Sequence, residues 1–507
     1  MEQLGIKEEI GGGIFFQYIN SIATVLAGFI FYIYIIHFYS SELVGSVALL
    51  LAITYLLNLT FSLGLGYGLQ HYISYYLGRR EYGQIRKMIV KFSLLGLSLG
   101  FLSFIFLYFT SPVFAMLFFH TFKYILLLKY LGLDILFMVI STFLSGILIG
   151  LQNFRSQAIW NVVGIAVTYS LPIVLLATLH NSIFIVLGWA AGYALSSIAY
   201  LLIIVMKISK VGKESSGIKI RPVFSYSFPI FLATLVGFGA AYVDRFLVSF
   251  LLNLSLLGIY NFALLISSAI GFLVVPFATI LLPKLSEMYG LDKKEEMKNY
   301  IAKGIELMTT IYVPIALLVA ALSSSILLLL SSREYLPASF PVMIVLLVSS
   351  VFISGNILSV SLQGIRKTKM LLVASSAALL SNFIISIFLI PRFQMIGASI
   401  GYSSISVVSF FVMYYYTKKF NILKFEGIKI VKIYIAGFVM FFVIFGLQEL
   451  FFYSPLKLLG YIVFGFAIYS GMIKVLKTFS REDLDFIMLL IPWWLQKMRT
   501  MISVLFL

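Results

Sequence analysis

Two adjacent charges, Asp244 and Arg245, stand inside SFPIFLATLVGFGAAYVDRFLVSFLL (Ser227 to Leu252), a run with no other ionisable residue except Tyr242. An ionisable residue held at membrane depth is costly and is a candidate for function, unless both side chains reach the outer interface as end anchors. Neighbouring helical residues point about 100° apart. The pair therefore cannot face each other squarely, and at least one must meet another partner or a cavity. Asp134 and Glu306 stand near the ends of two further apolar runs, where carboxylates serve as interface residues or as exchange sites. Gln17 and Asn20 are three residues apart and share a helical face, suited to line a cavity or to bridge two helices. No catalytic constellation accompanies them. The chain has no cysteine, so no thiol nucleophile or disulfide is available. Its four histidines form no ligand-spaced pair, and it lacks the GxxxxGK[ST] phosphate loop. The expectation is a protein that is not an enzyme and carries no metal or cofactor.

What positions these residues is a series of membrane spans. Of the 507 residues 61% are hydrophobic and 11% charged, far below the charge of a water-soluble globule, which is roughly a quarter of its residues. A hydrocarbon core needs about 20 apolar residues per crossing helix. Fourteen such windows run from residue 14 to 475, among them 42–66, 257–281, 370–390 and 396–416. The segment before the first lacks a basic stretch and a cleavage site, so this span is expected to be retained. Alternate connectors collect the positive charge: with the N-terminus inside, thirty of the 36 Lys and Arg residues fall in inner segments and five in outer ones, with Arg245 inside a span. That bias places both termini in the cytoplasm and makes the chain a multi-pass protein of the cell membrane. The net charge of +17 is thereby explained by topology and contact with anionic membrane lipids, and no nucleic-acid partner is expected.

The second half repeats the first. Gly45 in SELVGSVALLL corresponds to Gly258 in LSLLGIYNFALL at an offset of 213 residues, and Gly78 in SYYLGRREYGQIRKM (Ser74 to Met88) to Gly290 in SEMYGLDKKEEMKNY (Ser286 to Tyr300) at 212. LQNFR (Leu151 to Arg155) matches LQGIR (Leu362 to Arg366) at 211, and GWAAGY (Gly188 to Tyr193) matches GASIGY (Gly397 to Tyr402) at 209. Six spans separate equivalent points, so the two lobes share one orientation. The expected fold is all-α and integral to the membrane. It has about fourteen transmembrane helices, in two parallel six-helix repeat lobes plus two C-terminal helices. The lobes are 1–206 and 223–417, joined by a cytoplasmic linker 207–222. Residues 418–476 hold the two extra helices and 477–507 an interfacial tail with Trp493 and Trp494. Duplicated lobes of this kind point to transport. The small-xxx-small pairs Gly188/Gly192 and Gly397/Gly401 read as helix packing.

The order of these features resembles the polysaccharide-biosynthesis flippases of the multidrug/oligosaccharidyl-lipid/polysaccharide exporter superfamily. The resemblance rests on Ser41 to Ala48, the connector SYYLGRREYGQIRKM, the run Ser227 to Leu252 leading into LGIYNFALLISS (Leu257 to Ser268), and LQGIRKT (Leu362 to Thr368). It implies a cavity for a polyprenyl-pyrophosphate-linked oligosaccharide moved from the inner to the outer leaflet. Cationic residues would meet the pyrophosphate: Arg245 within a span, or Arg79, Arg80, Arg155 and Arg366 at the cytoplasmic mouth. It leaves open a coupling ion, proton or Na⁺, and glycosyltransferases as partners. Two other functions fit the same sequence: an ion-coupled drug or organic-cation antiporter of the same superfamily, for which Asp244 and Asp134 would supply the carboxylates, and a non-transporting scaffold for glycan assembly.

Overall fold

The computed structural model describes residues 2–208, 221–424, 427–450 and 454–478. The expected linker and interfacial tail, apart from Lys207, Ile208, Arg221, Pro222, Lys477 and Thr478, lie outside the described residues. No strand occurs among the described residues. In hydrocarbon each backbone donor and acceptor must be satisfied within its own segment, so apolar runs of this length fold as helices. In chain order they are α1 (Glu2–Phe38), α2 (Ser41–Ser62), α3 (Leu65–Gly78), α4 (Tyr82–Phe114), α5 (Ile125–Gly150), α6 (Phe154–Leu179) and α7 (Ile183–Ile208). There follow α8 (Arg221–Leu251), α9 (Leu254–Gly271), α10 (Val275–Gly290), α11 (Lys294–Ala321), α12 (Ser323–Leu330), α13 (Ser339–Phe352) and α14 (Ser354–Gly364). Last come α15 (Lys369–Lys419), α16 (Gly427–Leu450) and α17 (Pro455–Val475).

Thirteen helices among the described residues are long and apolar enough to cross a membrane. One of them, α15, has 51 residues, about 76 Å if straight, more than twice the hydrocarbon thickness. It folds back on itself. Gln394 has φ 49°, ψ −126°, three residues after Pro391, and Ser381 Oγ lies 2.8 Å from Ser404 Oγ, 23 residues further along the chain. Counting the two limbs separately gives the fourteen spans expected from hydropathy.

By internal contacts the chain divides into two compact units: 1–238 with 253–258, and 239–252 with 259–507. The division cuts α8, whose first half belongs to unit 1 and whose second half belongs to unit 2. Within unit 1 the Ser227 side chain sits where a Cβ on Gly68 would fall, and Tyr226 stacks on His71 at 4.3 Å. Within unit 2, α16 and α17 pack on α11. Tyr469 Oη donates to the Thr310 carbonyl at 3.1 Å, and the buried Glu306 carboxylate is met at 3.5 Å by Lys303 and by Lys429 of α16.

The duplication is legible in the backbone. The second span of each half is broken: α2 ends at left-handed Leu63 and Gly64, and α9 ends in the 3₁₀ turn Phe272–Val274. Hydropathy alone expected continuous spans over 42–66 and 257–281; it does not register a break that keeps both flanks apolar. The connector turns repeat too. Arg80 N donates to Leu77 O and Glu81 N to Tyr76 O; Asp292 N donates to Tyr289 O and Lys293 N to Met288 O, the same turn at an offset of 212. Gln152 N to Ile149 O and Asn153 N to Leu148 O match Arg366 N to Gln363 O and Lys367 N to Leu362 O, at an offset of 214. The LQNFR and LQGIR matches are therefore three residues out of structural register: Leu151 and Gln152 follow α5, whereas Leu362 and Gln363 lie in the last turn of α14. Arg155 and Arg366 are not equivalent positions.

The repeat glycines Gly45 and Gly258 meet one another inside unit 1. A Cβ on Gly45 would fall on the Leu254 carbonyl oxygen and one on Gly258 on the Ser41 carbonyl oxygen, and the Ser41 and Ser255 hydroxyls are hydrogen-bonded across the same contact. The relation is reciprocal, and backbone rather than side chain blocks any added atom. Overpacking of this kind costs about 1–3 kcal/mol or more. Gly45→Val and Gly258→Val should each lower the thermal unfolding midpoint by several degrees in detergent. Gly78→Ala, where nothing lies within 4 Å of the added Cβ, should leave it unchanged or raise it, since alanine favours a helix by about 1 kcal/mol over glycine. Equal midpoints for all three variants would contradict this account of the contact.

Candidate functional site

The adjacent charges of α8 are separated by their partners, as helical geometry requires. Asp244 is fully buried. Its Oδ2 accepts from Tyr260 Oη of α9 at 2.6 Å, and its Oδ1 lies 3.5 Å from Asn382 Nδ2 of α15, which also donates to the Ala240 carbonyl at 3.0 Å. The Ala398 carbonyl, from the second limb of α15, lies 3.4 Å from Tyr260 Oη. One carboxylate thus gathers α8, α9 and both limbs of α15.

Gly401 lets the limbs approach closely enough. A Cβ there would fall on Ser386 Oγ and 3.0 Å from Asn382 Oδ1. Gly397 does the same against the Leu389 carbonyl. In unit 1, Gly192 packs against Thr168 and the Gly164 carbonyl, and Gly188 against Pro172. Both small-residue pairs thus serve packing.

Arg245 turns the other way. Its Nε donates to Asn261 Oδ1 at 3.2 Å, its guanidinium donates to the Ala241 carbonyl, and Cζ lies 4.4 Å from the centre of the Tyr242 ring. The side chain is half-buried. An amide, a carbonyl and an aromatic face take the guanidinium's close contacts, and the Asp244 carboxylate acts on it through space. Tyr242 and Asn261 carry no motif; only their spacing, three residues before Arg245 and sixteen after it, places them on helices α8 and α9 within its reach.

Asp134 of α5 is buried in unit 1, where Thr54 Oγ1 donates to its Oδ2 at 3.2 Å. Its Oδ1 has no hydrogen-bond partner among the described residues. It stands nine residues inside α5, about 14 Å along the helix, deeper than the helix-end position expected from hydropathy. A buried carboxylate held so sparsely is costly in lipid unless a proton or cation joins it. Asn20 Oδ1 accepts from Asn161 Nδ2 at 2.6 Å, a bridge between α1 and α6, and the Gln17 side chain lies outside the described residues.

The four connector arginines are exposed. Arg79 is engaged by Tyr75 Oη at 2.6 Å and Glu81 Oε1 at 3.0 Å. The hydrogen bond to Tyr75 and the Glu81 carboxylate raise its guanidinium above the ordinary arginine value. Arg80 and Arg366 occupy left-handed turn positions with φ of 59° and 61°, and Arg155 lies in the first turn of α6. In unit 1 the Arg79–Arg80 turn and Arg155 share one end, since Ser74 Oγ bonds the Gly150 carbonyl at 2.9 Å.

Comparison with known proteins converges on one group. A family model described as polysaccharide biosynthesis protein matches residues 10–289, and a model described as MatE matches residues 229–388. An uncharacterized membrane protein of Methanocaldococcus jannaschii is 27% identical over 288 residues, 54% of this chain and 55% of that protein. A protein of Haloferax volcanii named a probable low-salt glycan biosynthesis flippase is 22% identical over 288 residues, 56% of this chain and 61% of that protein. The matches thus span a little over half the length of these curated relatives. A solved structure of the lipid II flippase MurJ in an inward closed conformation shares the fold, with a TM-score of 0.73, 20% identity, and coverage of 91% of this chain and 98% of that one.

The hydrogen bond from Tyr260 to Asp244 should be worth more than its neighbours. Removing the hydroxyl that meets Oδ2 at 2.6 Å leaves a buried acceptor short of a donor, at a cost of about 1–3 kcal/mol. Tyr260→Phe should lower the unfolding midpoint clearly, whereas Tyr75→Phe, at an exposed arginine, should not. Indistinguishable midpoints would remove Asp244 as the tie between α8, α9 and α15.

Proposed function

Since the chain belongs to the polysaccharide biosynthesis protein family, we propose that it is a membrane flippase for a polyprenyl-pyrophosphate-linked oligosaccharide. It moves this lipid from the inner to the outer leaflet by alternating access, for polysaccharide or glycoprotein assembly. The observation that carries this reading is Arg245, a half-buried cation within an apolar span whose neighbour Asp244 is engaged by Tyr260 and Asn382. A guanidinium held by neutral groups matches the oxygens of a diphosphate, and the naming of the Haloferax relative as a probable glycan flippase supports the same cargo. The arginines at the connectors, Arg79, Arg80, Arg155 and Arg366, offer a first electrostatic contact to the headgroup before it reaches Arg245. The buried carboxylates Asp244 and Asp134 are the places for a coupling ion, proton or Na⁺. The positive charge of alternate connectors supports a cell-membrane protein with both termini in the cytoplasm.

A second reading has one observation in its favour. The MatE match over residues 229–388 contains Asp244, so the same carboxylate would serve an ion-coupled exchanger of drugs or organic cations. The guanidinium beside it argues against a cationic cargo, because like charges repel strongly at low dielectric.

Arg245→Ala should abolish transfer of the lipid-linked oligosaccharide in reconstituted vesicles while expression and unfolding midpoint stay at wild-type values. Arg245→Lys, which keeps the charge and loses the planar fork, should retain part of it. Transfer by Arg245→Ala at the wild-type rate would withdraw the diphosphate from this residue.

A further inference from the structure

Unit 2 holds a half-open cavity of about 590 Å³ between α9, α11, α13, α14 and both limbs of α15. That volume is in the range of small-molecule sites, about 300–1,000 Å³. Its wall is unusual for membrane depth. Among the described residues it carries eight serines, two tyrosines and one asparagine, and no charged side chain. Several of these groups are held by their own helices or by each other. Tyr312 Oη and Ser349 Oγ lie 3.2 Å apart, and Asn356 Nδ2 donates to the Ile353 carbonyl at 3.2 Å. One is not: Ser403 Oγ is buried in the wall with no hydrogen-bond partner among the described residues. An orphaned hydroxyl in such a place costs free energy that a ligand or water relieves.

The wall's chemistry restricts the occupant. A diphosphate or organic cation would be desolvated there without a counter-charge, at a large cost. An acyl chain would leave the hydroxyls unmet. A sugar fits both features: its hydroxyls donate and accept as serine and asparagine do, and its C–H faces lie well on aromatic rings, which Tyr312, Tyr402, Phe352 and Phe410 provide. Tyr402 also lies within electrostatic range of both Arg245 and Asp244, so the neutral cavity and the charged pair are neighbours in one unit.

We propose that this cavity receives uncharged sugar units of the lipid-linked glycan, apart from its diphosphate. The proposal rests on the flippase reading and specifies it: neutral sugars enter, and acidic or cationic headgroups are turned away.

The chain has no cysteine, so Ser375→Cys and Asn356→Cys each introduce a single thiol on the cavity wall. Labelling by a water-soluble maleimide would be timed in proteoliposomes with four probes: a polyprenyl diphosphate, the same lipid bearing chitobiose, the same lipid bearing a uronic-acid disaccharide, and tetraphenylphosphonium. At ten times its Kd a ligand leaves roughly one site in eleven free, so the chitobiosyl lipid should slow labelling about tenfold. The other three probes should leave it unchanged. Equal protection by the bare diphosphate lipid, protection by the acidic lipid or the cation, or no reaction of either thiol would overturn the proposal. Transfer of the chitobiosyl lipid is measured in the same vesicles. Protection without transfer removes the flippase reading and leaves the sugar site; transfer without sugar-dependent protection does the reverse.

Discussion

A backbone crossing hydrocarbon has no water to bond, so each of its polar groups must be satisfied within the helix or by a neighbouring one. The architecture follows from that constraint. It makes the helices long and few in kind, and it confines irregular backbone to places where another segment covers it. Leu63 and Gly64 break the second span where α8 lies alongside, with the Ser227 carbonyl and Phe231 within 3.2 Å of a Cβ on Gly64. The fold-back of α15 at Gln394 is likewise covered, because Gly397 brings its backbone against Leu389. The same constraint governs side chains. Lipid supplies no hydrophobic drive between helices, so specificity comes from close glycine contacts and from buried polar groups such as Asp244, which meets Tyr260 of α9 and Asn382 of α15.

Much of this was legible in the sequence because membranes impose coarse rules. Length and hydropathy located the spans, including the two limbs of α15, which meet at the non-helical Gln394. The Gly78 and Gly290 match set two charged connectors opposite one another, and the turns there share the bonds of Arg80 and Glu81 with those of Asp292 and Lys293. The LQNFR and LQGIR match misled by three residues. Short identical strings identify a place in a repeat, whereas register is set by where the preceding helix stops, at Gly150 and Gly364. The broken second spans were illegible to hydropathy for the reason that makes them possible: apolar residues flank the break on both sides.

The polar site was half legible. Helical geometry alone required Asp244 and Arg245 to find different partners, and they do. Which partners they find depends on residues 16 to 138 positions away, Tyr260, Asn261 and Asn382, and on glycines that admit the second limb of α15. No local pattern records such distances. The serine-rich wall of unit 2 was missed because its residues come from five helices; the one local sign is the spacing of Ser403, Ser406 and Ser409, three residues apart on the second limb of α15. The outcome is a division of labour within unit 2. Charge is gathered at α8, where an anion or a coupling ion would act, and the neighbouring cavity is neutral and hydroxylated.

Movement of a lipid-linked neutral glycan across a bilayer is the activity proposed for this chain. Its most direct measurement is the appearance, at the trans face of proteoliposomes, of the glycan of an inner-leaflet polyprenyl-pyrophosphate oligosaccharide, detected by an impermeant lectin. The account predicts that purified wild-type protein raises this rate well above that of empty vesicles, while ethidium supplied to the same vesicles is not moved. A rate equal to that of empty vesicles, together with ion-driven movement of ethidium, would contradict it and assign the carboxylate of Asp244 to an exchanger instead.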